Sequence, residues 1–267
     1  MSGKQARRRR QQAAAPPPVA RKGERRSAST KVLVAAALGV LVVAGAAVGI
    51  ALAVGGNSSS SAATVQSVGS LTNALPAADA VQREFAGIPQ QGRVLGSPNA
   101  PMTMVEYVDL QCPGCRAFET EVMPSIVAEL VRTGKLKIEA RPIAFIGPDS
   151  LDARYAAIAA ASQNRMFNFM QVIYANQRVE NTGWLNQAFI QKAASSVPGM
   201  DVQRLLDDQK SQAVTAVGKT IDGEANADNV SETPTLLLGK TGSKLRKVSS
   251  KVISDEARLA AAIRSLG

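Results

Sequence analysis

The sequence contains no histidine, and only two of its 267 residues are cysteines. Without histidine the chain cannot form a Ser-His or Cys-His catalytic pair, bind a metal through imidazole, or use the side chain that most often titrates near neutral pH. Two cysteines also fall short of the four ligands that a structural zinc site needs. We therefore expect no bound metal and no other cofactor. Proton transfer must use a carboxylate, a tyrosine, a lysine, a thiol or water.

The positive charge of the chain is concentrated at its N-terminus. The formal net charge is +10, but residues 1–31 carry ten Lys or Arg against a single Glu, and the rest of the chain carries 21 basic and 20 acidic residues. A folded part with so balanced a charge has no basic face, so we expect no nucleic-acid partner. Residues 1–31, with four consecutive arginines and three consecutive prolines, are predicted to form a disordered basic tail.

An uninterrupted apolar run follows the basic tail. Residues 32–54 contain no charged or strongly polar side chain, and at about 1.5 Å per residue a helix of this length crosses a hydrocarbon core about 30 Å thick. No charge follows the run until Asp79, so the positive-inside rule places the tail in the cytoplasm and the rest of the chain outside. The sequence predicts a single-pass transmembrane helix in the cell membrane with an extracytoplasmic domain. A cleaved secretory signal is the alternative, although its apolar core spans only about 7 to 15 residues.

The remaining chain is predicted to be a linker followed by an α/β domain. Residues 55–92 are rich in Gly, Ser and Ala, which predicts a flexible linker with room for a short helix within residues 77–85. The domain is predicted to span residues 93–267. Its first strand, residues 102–110, is apolar on both alternating faces, as expected of a central strand covered on both sides.

A helix and a second strand follow the first strand. Pro113 suits the first position of a helix, and apolar residues continue at helical spacing to Arg132. Pro124 should kink this helix, because its ring meets the carbonyl group of the preceding turn. Residues 135–145 alternate between apolar and polar and predict the second strand of a βαβ unit.

The C-terminal half of the domain changes to helical patterns. Amphipathic segments fill residues 149–227 and predict a helical insertion of about four helices, of which the last, residues 202–227, is expected to be broken. Residues 235–238 and 247–252 predict two short strands, and residues 255–266 predict a closing helix. The expected order is strand, helix, strand, helical insertion, two strands and helix.

Both cysteines lie in the motif Cys112-Pro113-Gly114-Cys115, at the predicted junction of strand and helix. A cysteine at a helix N-terminus faces unpaired N–H groups and the positive end of the helix dipole, and both favour the thiolate. We predict that Cys112 is an exposed nucleophile and that Cys115, one turn later, is the resolving thiol of a redox-active disulfide. A structural disulfide is the alternative, but closing so short a loop removes little entropy from the unfolded chain.

Two acidic residues lie on the strand before the motif. Glu106 shares a face with Met104 and Val108, so its side chain is predicted to be buried beneath Cys115 with a raised pKa. It is our candidate for the group that accepts the proton of the resolving thiol. A solvent-facing Glu106 is the alternative, although it would break the alternation of the strand. Asp109 lies on the opposite face and is predicted to be structural.

Three segments of the chain resemble the DsbA-like thiol-disulfide oxidoreductases of the thioredoxin superfamily. They are residues 94–101 (VLGSPNAP), residues 105–115 (VEYVDLQCPGC) and residues 232–235 (ETPT). The resemblance runs from about residue 93 to the C-terminus and implies a thioredoxin-like fold with a helical insertion. By this resemblance Glu106 matches the buried acid six residues before the first cysteine. Thr233 and Pro234 match the substrate-binding loop whose cis-proline faces the active-site disulfide.

The residue before the second cysteine departs from the pattern of the resembled family. Many strongly oxidising members have histidine at this position, whereas this chain has Gly114. Glycine offers no donor or charge to the Cys112 thiolate, so the helix terminus alone would lower the pKa of Cys112 by about 1.5 units from about 8.5. We therefore expect a moderately acidic thiol and a weaker oxidant than the histidine-bearing relatives.

The sequence thus predicts a membrane-anchored, extracytoplasmic thiol-disulfide oxidoreductase. Its expected substrates are exported proteins that contain cysteines, its expected reaction is their oxidation, and it would need a membrane redox partner to restore its own disulfide. A reductase or an isomerase of the same fold is one alternative. A membrane-tethered binding module with an inert disulfide is the other, and it belongs to a different functional class.

Overall fold

The computed structural model describes residues 67–266. The predicted tail (residues 1–31), the predicted membrane span (residues 32–54) and residues 55–66 of the predicted linker lie outside the described residues. Within the described part of the chain, no helix combines the length and the apolar character needed to cross a bilayer.

A six-stranded mixed sheet runs through the centre of the fold. Its strands are β1 (Gln90–Gln91), β2 (Val94–Leu95), β3 (Met102–Val108), β4 (Leu136–Pro142), β5 (Thr235–Lys240) and β6 (Arg246–Lys247). The order across the sheet is β1-β2-β4-β3-β5-β6. β3 pairs in parallel with β4 and antiparallel with β5. Six of the seven residues of β3 are buried, which confirms the prediction of a central strand covered on both faces.

Helices account for most of the remaining described chain. They are α1 (Ala78–Phe85), α2 (Pro113–Ala117), α3 (Met123–Ile126), α4 (Pro148–Ala161), α5 (Met166–Ala175), α6 (Gln187–Ser195), α7 (Val202–Asp208), α8 (Gln212–Ala227), α9 (Ser250–Ile253) and α10 (Glu256–Arg264). The predicted insertion at residues 149–227 corresponds to α4–α8. The expected break in its last helix separates α7 from α8, where the hydroxyl oxygen of Ser211 caps α8 by accepting a hydrogen bond of 3.1 Å from the Val214 N–H.

The helix after β3 contains two π-helical turns. α2 continues into a π-turn at Phe118–Val122, then α3, then a second π-turn at Val127–Val131. Pro124 lies in the first turn of α3, directly after the first π-turn. Proline has no backbone N–H group and cannot donate a hydrogen bond to the preceding turn, and the wider π-turn accommodates it. The interruption predicted at Pro124 therefore takes the form of a π-bulge.

The short helix allowed for within residues 77–85 is present as α1, but the prediction that residues 55–92 form a flexible linker is wrong for its later, described part. Ala78, Val81 and Phe85 lie on one face of α1 and are buried in the core, and the Phe85 ring lies 6.3 Å from that of Phe167. Residue spacings of three and four place apolar side chains on one side of a helix, which is sufficient to dock α1. The folded domain therefore begins before residue 93.

The predicted strand at residues 247–252 is also wrong. The observed β6 contains only Arg246 and Lys247, and residues 250–253 form the short helix α9. Ile253 is buried in the core, whereas both residues of β6 are exposed. A longer β6 would have remained an edge strand beside β5, with its residues on the surface. The helical turn of α9 instead turns Ile253 into the core.

Candidate active site

Cys112 occupies the N-cap position of α2. Its backbone is extended, and its Sγ accepts a hydrogen bond from the backbone N–H of Cys115 at 3.4 Å. The same Sγ donates to the carbonyl oxygen of Thr233, also at 3.4 Å. Both cysteines are free thiols in this structure. The sulfur of Cys112 therefore lies between the start of the helix and the loop that precedes β5.

The two thiols differ in exposure. Cys112 retains 8% of its surface, whereas Cys115 retains none. Cys112 is less exposed than we predicted, because Thr233 and Pro234 pack against the start of α2. Cys112 is therefore the more accessible of the two sulfur atoms.

The two thiols also differ in acidity. The pKa of Cys112 is lowered to about 6. The main cause is a hydrogen bond with the Cys115 side chain. Burial opposes it, and hydrogen bonds with the Thr233 side chain and with the backbone of Cys115 and Gly114 add to it. Burial, and next the hydrogen bond and charge of Cys112, raise the pKa of Cys115 well above its usual range. The pKa of Cys112 lies below the value that the helix terminus alone predicts, because the second thiol adds a donor. Near neutral pH the pair holds one thiolate and one thiol.

The loop before β5 faces the cysteine pair. The Thr233–Pro234 peptide bond is cis, as the family resemblance implied. A Cβ atom placed on Gly114 would lie 3.6 Å from Cys112 Sγ, 3.6 Å from Pro234 Cδ and 3.7 Å from the carbonyl oxygen of Thr233. These residues, which lie far apart in the sequence, therefore meet at one point in the structure.

A groove of about 310 Å³ opens beside this point. One wall is formed by α2 and the π-turn that follows it, the opposite wall by residues 232–234, and the end by α9. We call it the active-site groove. Most of its surface is apolar, and it is open to solvent, so it has the form of a binding site for a polypeptide segment.

Asp109 organises the turn that carries Cys112. Its buried carboxylate accepts hydrogen bonds from the backbone N–H groups of Gln111, Phe145 and Ile146, and from the hydroxyl group of Ser150, at distances of 2.7–3.0 Å. Four donors on a buried carboxylate tie the end of β3 to the loop after β4. The structural role predicted for Asp109 follows from these contacts.

We expect Asp109→Asn to destabilise the protein by about 2–4 kcal/mol. The neutral amide accepts more weakly than a carboxylate and turns an N–H₂ group toward existing donors, which leaves buried groups without partners. The midpoint of urea unfolding measures the loss. Asp152→Asn, at an exposed position on α4, should change the free energy of unfolding by less than about 0.5 kcal/mol. Equal effects of the two substitutions would contradict the role of Asp109.

The helical insertion also holds the backbone of the active site. The Nε2 group of Gln177 donates to the carbonyl oxygens of Leu110 and Cys112 at 3.0 and 3.2 Å. The hydroxyl group of Tyr174 donates to the carbonyl oxygen of Asp109 at 3.3 Å. Sequence reasoning missed both residues. Their neighbours form a largely apolar, buried helix, and nothing in its sequence shows that α5 ends at the active site.

Three glutamates of the described structure, Glu84, Glu106 and Glu119, have raised pKa values. Glu106 is fully buried, as predicted, and neither of its carboxyl oxygens has a hydrogen-bond partner within the described structure. Burial raises its pKa to about 8. Burial, and then the charges of Glu106 and Glu84, raise the pKa of Glu119 well above its usual range. Burial raises the pKa of Glu84 to about 7, against the opposing charge of Arg132.

Sequence reasoning missed Glu119 and Glu84. Glu119 lies in the first π-turn, and a widened turn changes which side chains face the core, so helical periodicity does not identify it. Glu84 lies on α1, in the segment taken for a linker. Across residues 67–266, no group of three or more Cys, Asp or Glu side chains is arranged to hold a metal ion.

Known proteins with similar sequences include two from Bacillus. The chain is 29% identical over 133 residues to the "Probable disulfide bond formation protein D" of Bacillus cereus, covering 49% of this chain and 61% of that protein. It is 26% identical over 150 residues to the "Disulfide bond formation protein D" of Bacillus subtilis, covering 54% of this chain and 65% of that protein. The matches therefore span less than two thirds of the length of these relatives.

The fold and the family rest on two further comparisons. The crystal structure of oxidised BdbD from Bacillus subtilis aligns with a TM-score of 0.58 and 20% identity, covering 67% of this chain and 96% of that protein. A family model described as thioredoxin matches residues 89–251, which is more than half of the chain. The two cysteines, the cis-proline loop and the central strand all lie within this match. The chain belongs to the thioredoxin family.

Proposed function

We propose that this protein is an extracytoplasmic thiol-disulfide oxidoreductase that introduces disulfides into exported proteins. One observation carries the proposal: an acidic, partly accessible Cys112 thiol lies at a helix N-terminus beside a buried, weakly acidic Cys115 thiol. This asymmetry is what a pair needs if one sulfur is to exchange partners and the other is to resolve the intermediate. The names of the Bacillus relatives, disulfide bond formation proteins, support the same activity.

The proposed reaction begins with the Cys112–Cys115 disulfide. A substrate thiolate attacks Cys112 Sγ, the bond to Cys115 breaks, and its electron pair leaves on Cys115 Sγ, which takes up a proton. A second substrate thiolate then attacks the substrate sulfur of the mixed disulfide and expels Cys112 as a thiolate. The substrate gains a disulfide and loses two electrons, and the dithiol protein gains them. An oxidising membrane partner must then remove these electrons.

The acidity of Cys112 favours this direction. A pKa of about 6 makes Cys112 a good leaving group at neutral pH and stabilises the reduced protein, which raises its oxidising power. In the reverse direction Cys112 would attack a substrate disulfide and Cys115 would resolve it, so reduction and isomerisation use the same residues. Thr233 and Pro234 are proposed to bind an extended substrate segment beside the disulfide.

We assign Glu106 as the group that exchanges a proton with Cys115. Within the described residues no hydrogen bond joins the two side chains, so the transfer is proposed to pass through a water molecule. A pKa of about 8 leaves roughly one carboxyl in ten ionised at pH 7. A group whose pKa lies this close to the operating pH can act as an efficient general base.

The membrane anchor and the extracytoplasmic location belong to the proposal. The apolar run of residues 32–54 and the basic tail before it support them. In this arrangement the tail lies in the cytoplasm and the thioredoxin-like domain lies outside, where a vicinal cysteine pair is not kept reduced by cytosolic systems.

The test uses the full chain in mild detergent. The oxidised protein should reactivate reduced, denatured ribonuclease, and Cys112→Ser should lower that activity to the uncatalysed rate. The reduced protein should be assayed in parallel for reduction of insulin, which reports the opposite direction. Activity in neither assay would contradict the proposal and favour a binding module with inert sulfur atoms.

Gly114→His should make Cys112 more acidic. A side chain fits at this position, since the added Cβ meets its neighbours only at ordinary contact distances. A protonated imidazole beside the thiolate should lower the pKa of Cys112 by about one unit. Absorbance of the thiolate at 240 nm during a pH titration measures this change. Gly114→Gln is the matched control, and an equal pKa in the two variants would contradict the argument from charge.

A further inference from the structure

We infer that the active-site groove selects substrate segments that carry lysine or arginine within about three residues of the reacting cysteine. This inference deepens the proposed function and rests on it. Glu121 and Glu232, which face the groove from its two walls, are the residues that would recognise the basic side chain.

The groove supplies an apolar surface next to the reacting sulfur. Phe118 and Val122 line the wall formed by the π-turn, Pro234 lines the opposite wall, and Ile253 lies at the end. The volume of about 310 Å³ has room for one or two side chains of an extended segment. An apolar lining of this kind holds a peptide without specifying its charge, so selectivity must come from polar groups at the rim.

The charged groups that line the groove are all negative. Glu121 and Glu232 are both exposed, and neither carboxylate has an ion pair or a side-chain hydrogen bond within the described structure. Arg116 on α2 and Lys251 on α9 are close in sequence to residues that line the groove but do not line it themselves. A cationic side chain of a substrate would therefore meet two unpaired carboxylates without displacing an internal partner.

The position of Glu232 limits the register of the substrate. Glu232 directly precedes Thr233, whose carbonyl oxygen contacts Cys112 Sγ at 3.4 Å. An extended segment advances about 3.3 Å per residue. A substrate cysteine bonded to Cys112 therefore brings only the next two or three residues of its chain within reach of the carboxylates.

The expected selectivity is moderate and depends on salt. Exposed ion pairs are weak and are screened at physiological ionic strength. For two carboxylates acting together we expect about a 3- to 20-fold preference for a basic over an acidic peptide at low salt, which should shrink as salt is added.

The experiment compares three synthetic peptides that differ only in the residue next to a single cysteine, which is Arg, Gln or Glu. The second-order rate of their reaction with the oxidised full chain is measured at low and high salt. The Arg peptide should react fastest and the Glu peptide slowest. In the double variant Glu121→Gln, Glu232→Gln the rates of the three peptides should converge. The control Asp152→Asn, Asp207→Asn removes two exposed carboxylates outside the groove and should keep the preference.

The outcomes separate this inference from the proposed function. Equal rates for the three peptides with the unmodified protein would overturn the selectivity and leave the exchange activity in place. Loss of the preference in the control variant would also overturn it, because net charge rather than the groove would then be responsible. Failure of all three peptides to react would contradict the proposed function itself.

Discussion

Cys115→Ser should trap the protein in a covalent complex with its substrate. Cys112 of the reduced variant attacks a substrate disulfide, but no second thiol is present to release the product. Because Cys115 lies one helical turn from Cys112, its attack is intramolecular, and an external thiol replaces it far less efficiently. Incubation with oxidised, scrambled ribonuclease should give a band of combined mass on non-reducing gels that disappears with dithiothreitol. Turnover should fall at least about 100-fold, because an intramolecular step is lost.

The reciprocal variant is the control. Cys112→Ser keeps only a buried thiol whose pKa is raised well above its usual range, so it should form almost no complex at pH 7. Equal trapping by the two variants would contradict the assignment of Cys112 as the nucleophile. Trapping by Cys112→Ser alone would reverse the two roles.

Much of the active site could be predicted because its signals are local. The apolar run of β3 and the proline after Cys112 are close together in the sequence and depend on local preferences of the chain alone. The burial of Glu106 follows from the alternation of the strand. These features can be predicted without knowing which distant segments of the chain come into contact.

The unpredicted parts of the site depend on tertiary contacts. Gln177 and Glu119 gain their roles only because α5 packs beside the active-site helix and because a π-turn rotates Glu119 inward. The cis bond before Pro234 came from family resemblance, since most X-Pro bonds are trans. For α1, the sequence allows a short helix within residues 77–85, but the Gly- and Ser-rich composition of the preceding residues favours a linker and hides the docking of Ala78, Val81 and Phe85 onto the core.

Glu106→Gln should stabilise the protein above pH 5 and slow its resolving step. The pKa of Glu106 is raised from 4.5 to about 8 by burial. Between these values the unfolded chain loses this proton and the folded protein keeps it, so the free energy of unfolding falls by about 1.4 kcal/mol per pH unit. The loss is absent below about pH 4.5, is on the order of 3 kcal/mol at pH 7, and stops growing above about pH 8. Glutamine is neutral at every pH and avoids this loss.

Urea unfolding of the reduced full chain from pH 4.5 to pH 8.5 measures the effect. The curves of the native protein and of Glu106→Gln should meet at the acidic end and separate as pH rises. Glu119 shares the same buried region, and removal of the Glu106 charge should lower the pKa of Glu119 as well, which adds to the gain. Glu121→Gln, at an exposed position on the same helical segment, should show no separation. Parallel curves for Glu106→Gln would show that Glu106 ionises normally in the folded protein, and it would then be no candidate for the general base that serves Cys115.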